Sequence, residues 1–307
     1  MEAGQPEGLE VTLERAEMQT IATTFSDSIG NFEFRNLIPA SYYVVIKASG
    51  YEDVRQLVPY GPSTAGAPVY VFLNKEPFKV VAIHRAPVVD VAELNRNYPK
   101  RALEEYEAAQ EESRKGNTAK AAEHLELAVS LAPDFYSAHN GLGIAYQKLQ
   151  RYRDAEKEFN QARELNARSV DPLVNLGSMF IQEAEDSSVT KTRRLRGRIL
   201  DQALDILEAA IKLNARSAPA YYLLGAANYK SAFYEEAETN LKRALELDRH
   251  MGEVRLMLAN LYMRQKKWGD AVENLDAYLA ENPQATDRLQ IQEARSKITH
   301  NIEAGVK

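Results

Sequence analysis

The period of apolar positions changes once along this chain. Up to about residue 75 the apolar residues come in short bursts: VTL at 11–13, NFEFRNL at 31–37, YYVVIKA at 42–48 and VYVFL at 69–73. Each burst alternates or runs unbroken, and Gly, Pro and Asp/Ser turns separate them, which predicts strands. SDSIGNFEF reads as a tight turn around Gly30, with Phe32 and Phe34 on one face and Glu33 and Arg35 on the other. Residues 77–100 carry three prolines and no amphipathic period, as expected of a linker, although VVDVAEL within it is able to dock as a short strand or turn. Beyond residue 100 the spacing becomes helical.

The helical part repeats itself. His139, Leu142, Gly143, Tyr146, Ala155, Phe159, Ala162 and Ala167 fall in order on the slots of a 34-residue helix-turn-helix unit. One period earlier, Ala108, Ala109, Ala121, Leu125, Ala128 and Pro133 take the equivalent places. Leu176, Gly177, Phe180, Ala203, Leu207, Ala210 and Ala215 follow, then Leu224, Gly225, Ala237, Leu241 and Ala244, then Leu258, Ala259, Tyr262, Ala271, Leu275 and Pro283. Five units in phase over residues 101–284 resemble the tetratricopeptide repeat family, although Glu105 and Arg255 stand in its Trp slot and Asn228 in a Tyr slot. The resemblance implies an all-α superhelical solenoid.

Packing physics leads to the same architecture. A small residue in the eighth slot, with Ala in the twentieth, lets the two helices of a hairpin approach, and large residues in the seventh, eleventh and twenty-fourth slots fill the surroundings. Each hairpin leaves an apolar face that its neighbour must cover, so the last needs a cap. Residues 285–307 provide one, with Ile291, Ala294, Ile298 and Ile302 in a stripe. Unit three is longer than the rest: Gly177 to Gly225 spans 48 residues, 14 more than the period. Helical spacing persists through Leu195, Ile199, Ala203, Leu207 and Ala210, so both helices of this unit are expected to be lengthened by about two turns, joined near 187–192.

In the strand-rich part, Asp27, Gly30, Phe32, Phe34, Leu37, Tyr42, Val44, Gly50 and Tyr51 carry the pattern of the carboxypeptidase regulatory-like domain, which residues 1–76 resemble. That implies a small all-β sandwich of transthyretin-like topology. Ala40 stands where the family has Gly, and the match begins where a second strand is expected, so the first strand is expected to be missing. Family members with this β-then-repeat layout are commonly exported, which implies a periplasmic or secreted protein. The start, MEAGQPEGLE, has neither the basic nor the apolar region of a signal peptide.

Charge and composition exclude several functions. Through Glu76 there are 5 basic and 10 acidic residues, and after it 33 and 34, so neither part has the basic excess of a nucleic-acid binder. Zero cysteines exclude disulfides, thiolate metal sites and a cysteine nucleophile. No apolar run approaches the length of a membrane span.

No catalytic constellation is found. The five histidines have no paired ligand spacing, and His139 lies in an aromatic core slot, which makes it a packing residue. GLG at 141–143 begins a phosphate-loop pattern but sits inside a repeat helix. The basic run KTRRLRGR at 191–198 is either a docking patch for an acidic partner or a helix start neutralised by Glu183, Glu185 and Asp186, the reading the hairpin geometry favours.

The groove is the remaining site. The family resemblance places ligand contacts on the first helix of each hairpin. Here those slots hold Val174, Ile181, Tyr222, Tyr229, Leu256 and Met263, flanked by Asn175, Ser178, Gln182, Lys230, Asn260 and Arg264. An apolar strip with polar neighbours suits an extended peptide or a helix, or else these side chains pack the adjacent first helix. The Lys/Asn clamp for a C-terminal carboxylate is absent, with Tyr106, Gln110 and Asp171 in its slots. The expectation is a non-catalytic protein-binding scaffold without cofactor or metal. The alternative is carbohydrate or envelope binding through Tyr42, Tyr43, Tyr51, Tyr60 and Tyr70 of the β-domain.

Overall fold

The computed structural model describes residues 9–15, 19–27, 31–35, 37–46, 54–61, 71, 97–190 and 192–303. The chain divides into two compact units, Met1–Lys79 and Val80–Lys307. In the first, strands β1 (Glu10–Glu14), β2 (Thr20–Phe25), β3 (Ala40–Ile46) and β4 (Val54–Tyr60) form one antiparallel sheet in the order β2-β1-β3-β4. Val11 and Leu13 of β1 lie opposite Ile46 and Val44 of β3, and these four residues with Tyr42 form the buried core of the sheet.

Two expected strands behave differently. Residues 31–35 form no ladder, yet their burial alternates as foreseen. Phe32 and Phe34 pack on the sheet core, while Glu33 and Arg35 point out and pair at 2.9 Å. The turn before them is closed by the Asn31 amide donating to Asp27 Oδ1 at 2.8 Å. Of VYVFL only Val71 is described, half-buried against the same core; the rest, with Gly30 and most of the linker, lies outside the described residues. Conversely, β2 and β4 were not expected.

The second unit is a row of helix pairs: α1 (Lys100–Arg114) with α2 (Thr118–Leu131), α3 (Tyr136–Lys148) with α4 (Tyr152–Leu165), α5 (Asp171–Glu185) with α6 (Arg193–Leu213), α7 (Ala218–Lys230) with α8 (Tyr234–Leu247) and α9 (Gly252–Arg264) with α10 (Trp268–Glu281). The eighth-slot glycines set the closeness of the pairs. A methyl group on Gly143 would lie 2.6 Å from the Phe159 ring, and one on Gly225 would lie 2.7 Å from Leu241. Four hairpins turn through the same fifteenth-slot residue in the left-handed region: Gly116, Gln150, Ala232 and Lys266, with φ of 81°, 58°, 65° and 58°. In each, the amide two residues past the first helix's cap donates back across the turn, as Arg151 N does to Tyr146 O at 2.9 Å, satisfying an otherwise orphaned carbonyl.

Unit three replaces that turn. The second helices of the other pairs begin three residues before their twentieth-slot Ala; α6 begins at Arg193, seven residues earlier than Leu200 would place it, which is about 10 Å of extra helix. The expected two-turn lengthening therefore holds for α6 alone. α5 gains less than one turn, because its chain turns away at Asp186, whose carbonyl accepts from Val189 and Thr190. Helix α11 (Arg288–Glu303) closes the row. Ile291 and Ile298 are buried, Arg295 forks onto Asp276 at 2.8 and 3.1 Å, and Tyr278 donates to Asp287 at 2.8 Å.

Candidate functional site

Each hairpin packs on the next mainly through its second helix, α2 on α3, α4 on α5, α6 on α7 and α8 on α9; first helices also touch in succession, α3 with α5, α5 with α7 and α7 with α9, whereas successive second helices make no comparable contact among the described residues. The first helices therefore share one continuous face along the array, the inner face of a stacked solenoid.

On this face the expected apolar strip separates into two groups. Val174, Ile181 and Leu256 are buried and Tyr222 is fully buried, whereas Tyr229 and Met263 keep part of their surface. Ser178 and Asn260 are also buried; Asn175 is half-buried and Arg264 exposed. The Lys230 side chain is covered and forms an ion pair with Glu185 of the preceding first helix. The reading of all these residues as one accessible strip is therefore corrected. A fifth-slot side chain sits between two first helices packed about 8–10 Å apart, and a residue as large as Tyr222 is enclosed there. Burial first, then Glu253 and Glu185, pushes the Tyr222 phenol above its ordinary pKa, so it stays neutral.

Hydrogen bonds join these helices where the sequence showed only polar slots. Asn175 Nδ2 donates to Asn140 Oδ1 at 2.9 Å, and Gln147 Nε2 donates to Ser178 Oγ at 3.3 Å and Gln182 Oε1 at 3.1 Å. Asn140 and Gln147 were not singled out from the sequence; their signal was position, since they occupy in unit two the slots of Val174 and Ile181 in unit three. At the other end of the face, the Arg264 guanidinium donates to the Tyr234 hydroxyl and lies 5.6 Å from its ring, and the Tyr229 and Tyr234 rings are 6.0 Å apart.

The remaining candidates have structural places. His139 is buried, as expected for its slot. Its Nδ1 lies 2.6 Å from Glu158 Oε2 and its Nε2 3.0 Å from the Pro133 carbonyl, so the ring bridges α3 to α4 and to the preceding turn. Gly141 and Gly143 lie within α3, away from any strand. Among the described residues no group of His, Asp and Glu is arranged to hold a metal, and no helix is long and apolar enough to cross a membrane. Of the β-domain tyrosines, Tyr42 is core and donates to the Ile38 carbonyl; Tyr43 lies under Arg55 at 3.7 Å; Tyr60 is half-buried. Tyr51 and Tyr70 lie outside the described residues, so no aromatic platform is assembled among those described.

The acidic end of α5 is engaged away from the basic run. Glu185 pairs with Lys230, and Asp186 accepts from the Ser188 hydroxyl at 2.6 Å and from Tyr152 at 3.0 Å. Burial works against the Asp186 charge, but these bonds outweigh it and hold the carboxyl below its ordinary value. Burial, then repulsion by Glu156, raises the pKa of Glu183. The expected neutralisation of the run is corrected at Arg194 and Arg198, which pair with no carboxylate among the described residues. Lys191 lies outside those residues.

Comparison with known proteins agrees with this architecture. The tetratricopeptide repeat model matches residues 113–175 and 233–298, and the carboxypeptidase regulatory-like domain model matches residues 2–69. A thermophilic tetratricopeptide protein of Thermus thermophilus is 21% identical, with a TM-score of 0.55 over 64% of this chain and 98% of that one. PilW, a type IV pilus biogenesis factor, is 20% identical with a TM-score of 0.54, over 67% of this chain and 89% of its own. PilF of Pseudomonas aeruginosa is 18% identical with a TM-score of 0.52, over 66% and 86%. At these identities the similarity is one of fold. Residues 113–175 and 233–298 thus carry tetratricopeptide repeats within a helical array of that fold, and residues 2–69 match the carboxypeptidase regulatory-like domain.

Proposed function

We propose that this protein is a non-catalytic scaffold that holds an extended segment of a partner protein along the inner face of its first helices. Tetratricopeptide-repeat arrays are protein-interaction scaffolds, and their curvature creates long concave binding surfaces. The observation that carries the reading for this chain is the pair of half-buried amides Asn175 and Gln182, each held by a buried amide of the preceding first helix, Asn140 and Gln147. An amide has two donors and two acceptor lone pairs, and the bonds of Asn175 and Gln182 to the buried pair use only part of that capacity. An incoming peptide backbone presents the complementary groups whatever its sequence. Tyr229, Met263 and Arg264 then offer apolar and cationic contacts to its side chains. Val174, Ile181, Tyr222 and Leu256, with Ser178 and Asn260, are the floor beneath, and Lys230 fixes it through Glu185. No cofactor, metal or nucleic acid enters this reading.

Peptides selected from a random display library on the full chain test it. They are expected to bind Asn175→Ala and Tyr229→Ala variants about tenfold more weakly, the scale of a single well-placed contact. Selected peptides that bind both variants like the parent would place recognition elsewhere.

A further inference from the structure

The two added turns of α6 carry a second surface. Residues 193–199 project past the starts of the other second helices, and their two long sides differ. Leu195 and Ile199 pack inward, with Val189 of the preceding loop against the same core. Arg193, Arg194 and Arg198 are exposed, and no acidic residue occurs from Ser187 until Asp201.

This placement works against the stability of the helix itself. The start of a helix is its positive end, where carboxylates are favourable and cations unfavourable. α4, α8 and α10 follow the rule with Asp154, with Glu235 and Glu236, and with Asp270 in the first turn; α2 and α6 have no acidic residue there, and α6 begins on two arginines, Arg193 and Arg194. Arg194 and Arg198 stand four apart on one face, a like-charge spacing that further opposes the helix. Neither forms an ion pair among the described residues, and the nearest acids in sequence before the run, Glu185 and Asp186, are held by Lys230 and by Ser188 and Tyr152. The Thr192 hydroxyl caps the helix by accepting from the Leu195 amide at 3.2 Å, which satisfies the helix end but leaves the repulsion between the arginines; local rules broken in this way mark surfaces kept for something else. The chain as a whole has a net charge of −6, so the arm is a local inversion of sign on an acidic molecule.

We propose that this arm docks an acidic, Asp/Glu-rich segment of a partner protein. Guanidinium groups pair with carboxylates through two parallel hydrogen bonds, and such a segment would relieve both the helix-end repulsion and the Arg194–Arg198 repulsion. Because the arm belongs to a second helix, it is a site separate from the inner face of the first helices and independent of the reading given above.

Fluorescence anisotropy of the full chain with a labelled peptide alternating Glu and Gly tests this directly, at low and at raised salt. The parent is expected to bind in a salt-sensitive manner, and Arg194→Glu with Arg198→Glu to bind about tenfold or more weakly. Arg194→Lys with Arg198→Lys, which keeps the charge but loses the fork, should fall between. The reversed variant should melt no lower than the parent, since it puts carboxylates at a helix start. Tyr229→Ala should leave this binding unchanged. Equal binding by the parent and the reversed variant, or no binding by the parent, would overturn the proposal. So would tighter binding of a single-stranded oligonucleotide of equal charge, which would make the ligand a nucleic acid. A concentration-dependent dimer lost on charge reversal would also overturn it, by making a second copy the occupant.

Discussion

Replacing Tyr222 by Ala separates floor from contact on the inner face. Tyr222 has no exposed surface and is among the largest fully buried side chains of the protein. An enclosed aromatic of this kind covers roughly 150–250 Å². Its truncation leaves a cavity between helices that are themselves held in the stack, so collapse is limited and the cost is about 3–5 kcal/mol. Because α7 contacts α5, α6, α8 and α9, the loss weakens the middle of the array and not only one hairpin. Tyr229, two turns along the same helix face but half-buried, should cost about 1–2 kcal/mol when truncated, with most of the effect appearing in peptide binding. Urea denaturation followed by far-UV circular dichroism measures both, read alongside the slope, because a repeat array that loses its centre can unfold in two steps. If Tyr222→Ala unfolds within about 1 kcal/mol of the parent, well below the usual cost of emptying an aromatic site, the enclosure described here is wrong.

The left-handed residues at the hairpin turns give a gain where most substitutions lose. Ala232→Gly removes a Cβ from a residue at φ 65° and should stabilise by up to about 1 kcal/mol after the larger entropy of an unfolded glycine is subtracted, measured as a raised denaturation midpoint. Deleting residues 285–307 uncovers the α10 face that Ile291 and Ile298 bury, so the truncated chain should melt lower and associate in solution; identical melting would remove α11 from the role of cap. Burial, then the hydrogen bond to Asp287, raises the Tyr278 phenol from 10.0 to about 12. A group whose pKa is raised in the folded state stabilises fully below its unfolded value and loses that contribution as pH climbs through the folded one. The cap should therefore weaken between about pH 10 and 12, and Tyr278→Phe should lose less stability over that window than the parent.

The repeats were legible because each slot is dictated by one contact. Gly143 can only be small where Phe159 approaches, and the same reason recurs at Gly177 and Gly225. The lengthening of α6 was legible from its period, but the length of α5 was not, because EAEDSS contains no breaker to mark its stop. Strand β4 was hidden by Pro59, which argues against a central strand; at the edge of the sheet its missing N–H is no obstacle. Strand β2 was hidden by a run of threonines whose side chains face outward or are half-covered. The site was the least legible part. Slot position shows that Tyr222 and Tyr229 share a helix face, but which of them a neighbouring helix encloses depends on stacking distances that no single repeat encodes. The amide links of Asn140 and Gln147 were hidden for the same reason, since each needs a partner 31–35 residues away.

Photo-crosslinking decides whether the first helices carry the binding surface. A photoreactive residue placed at 229 or at 264, on α7 and α9, should form a covalent product with a library-selected peptide. The same residue at 208, an exposed position on second helix α6, should not. Crosslinking from 208 with none from 229 and 264 would contradict a groove of first helices as the binding surface.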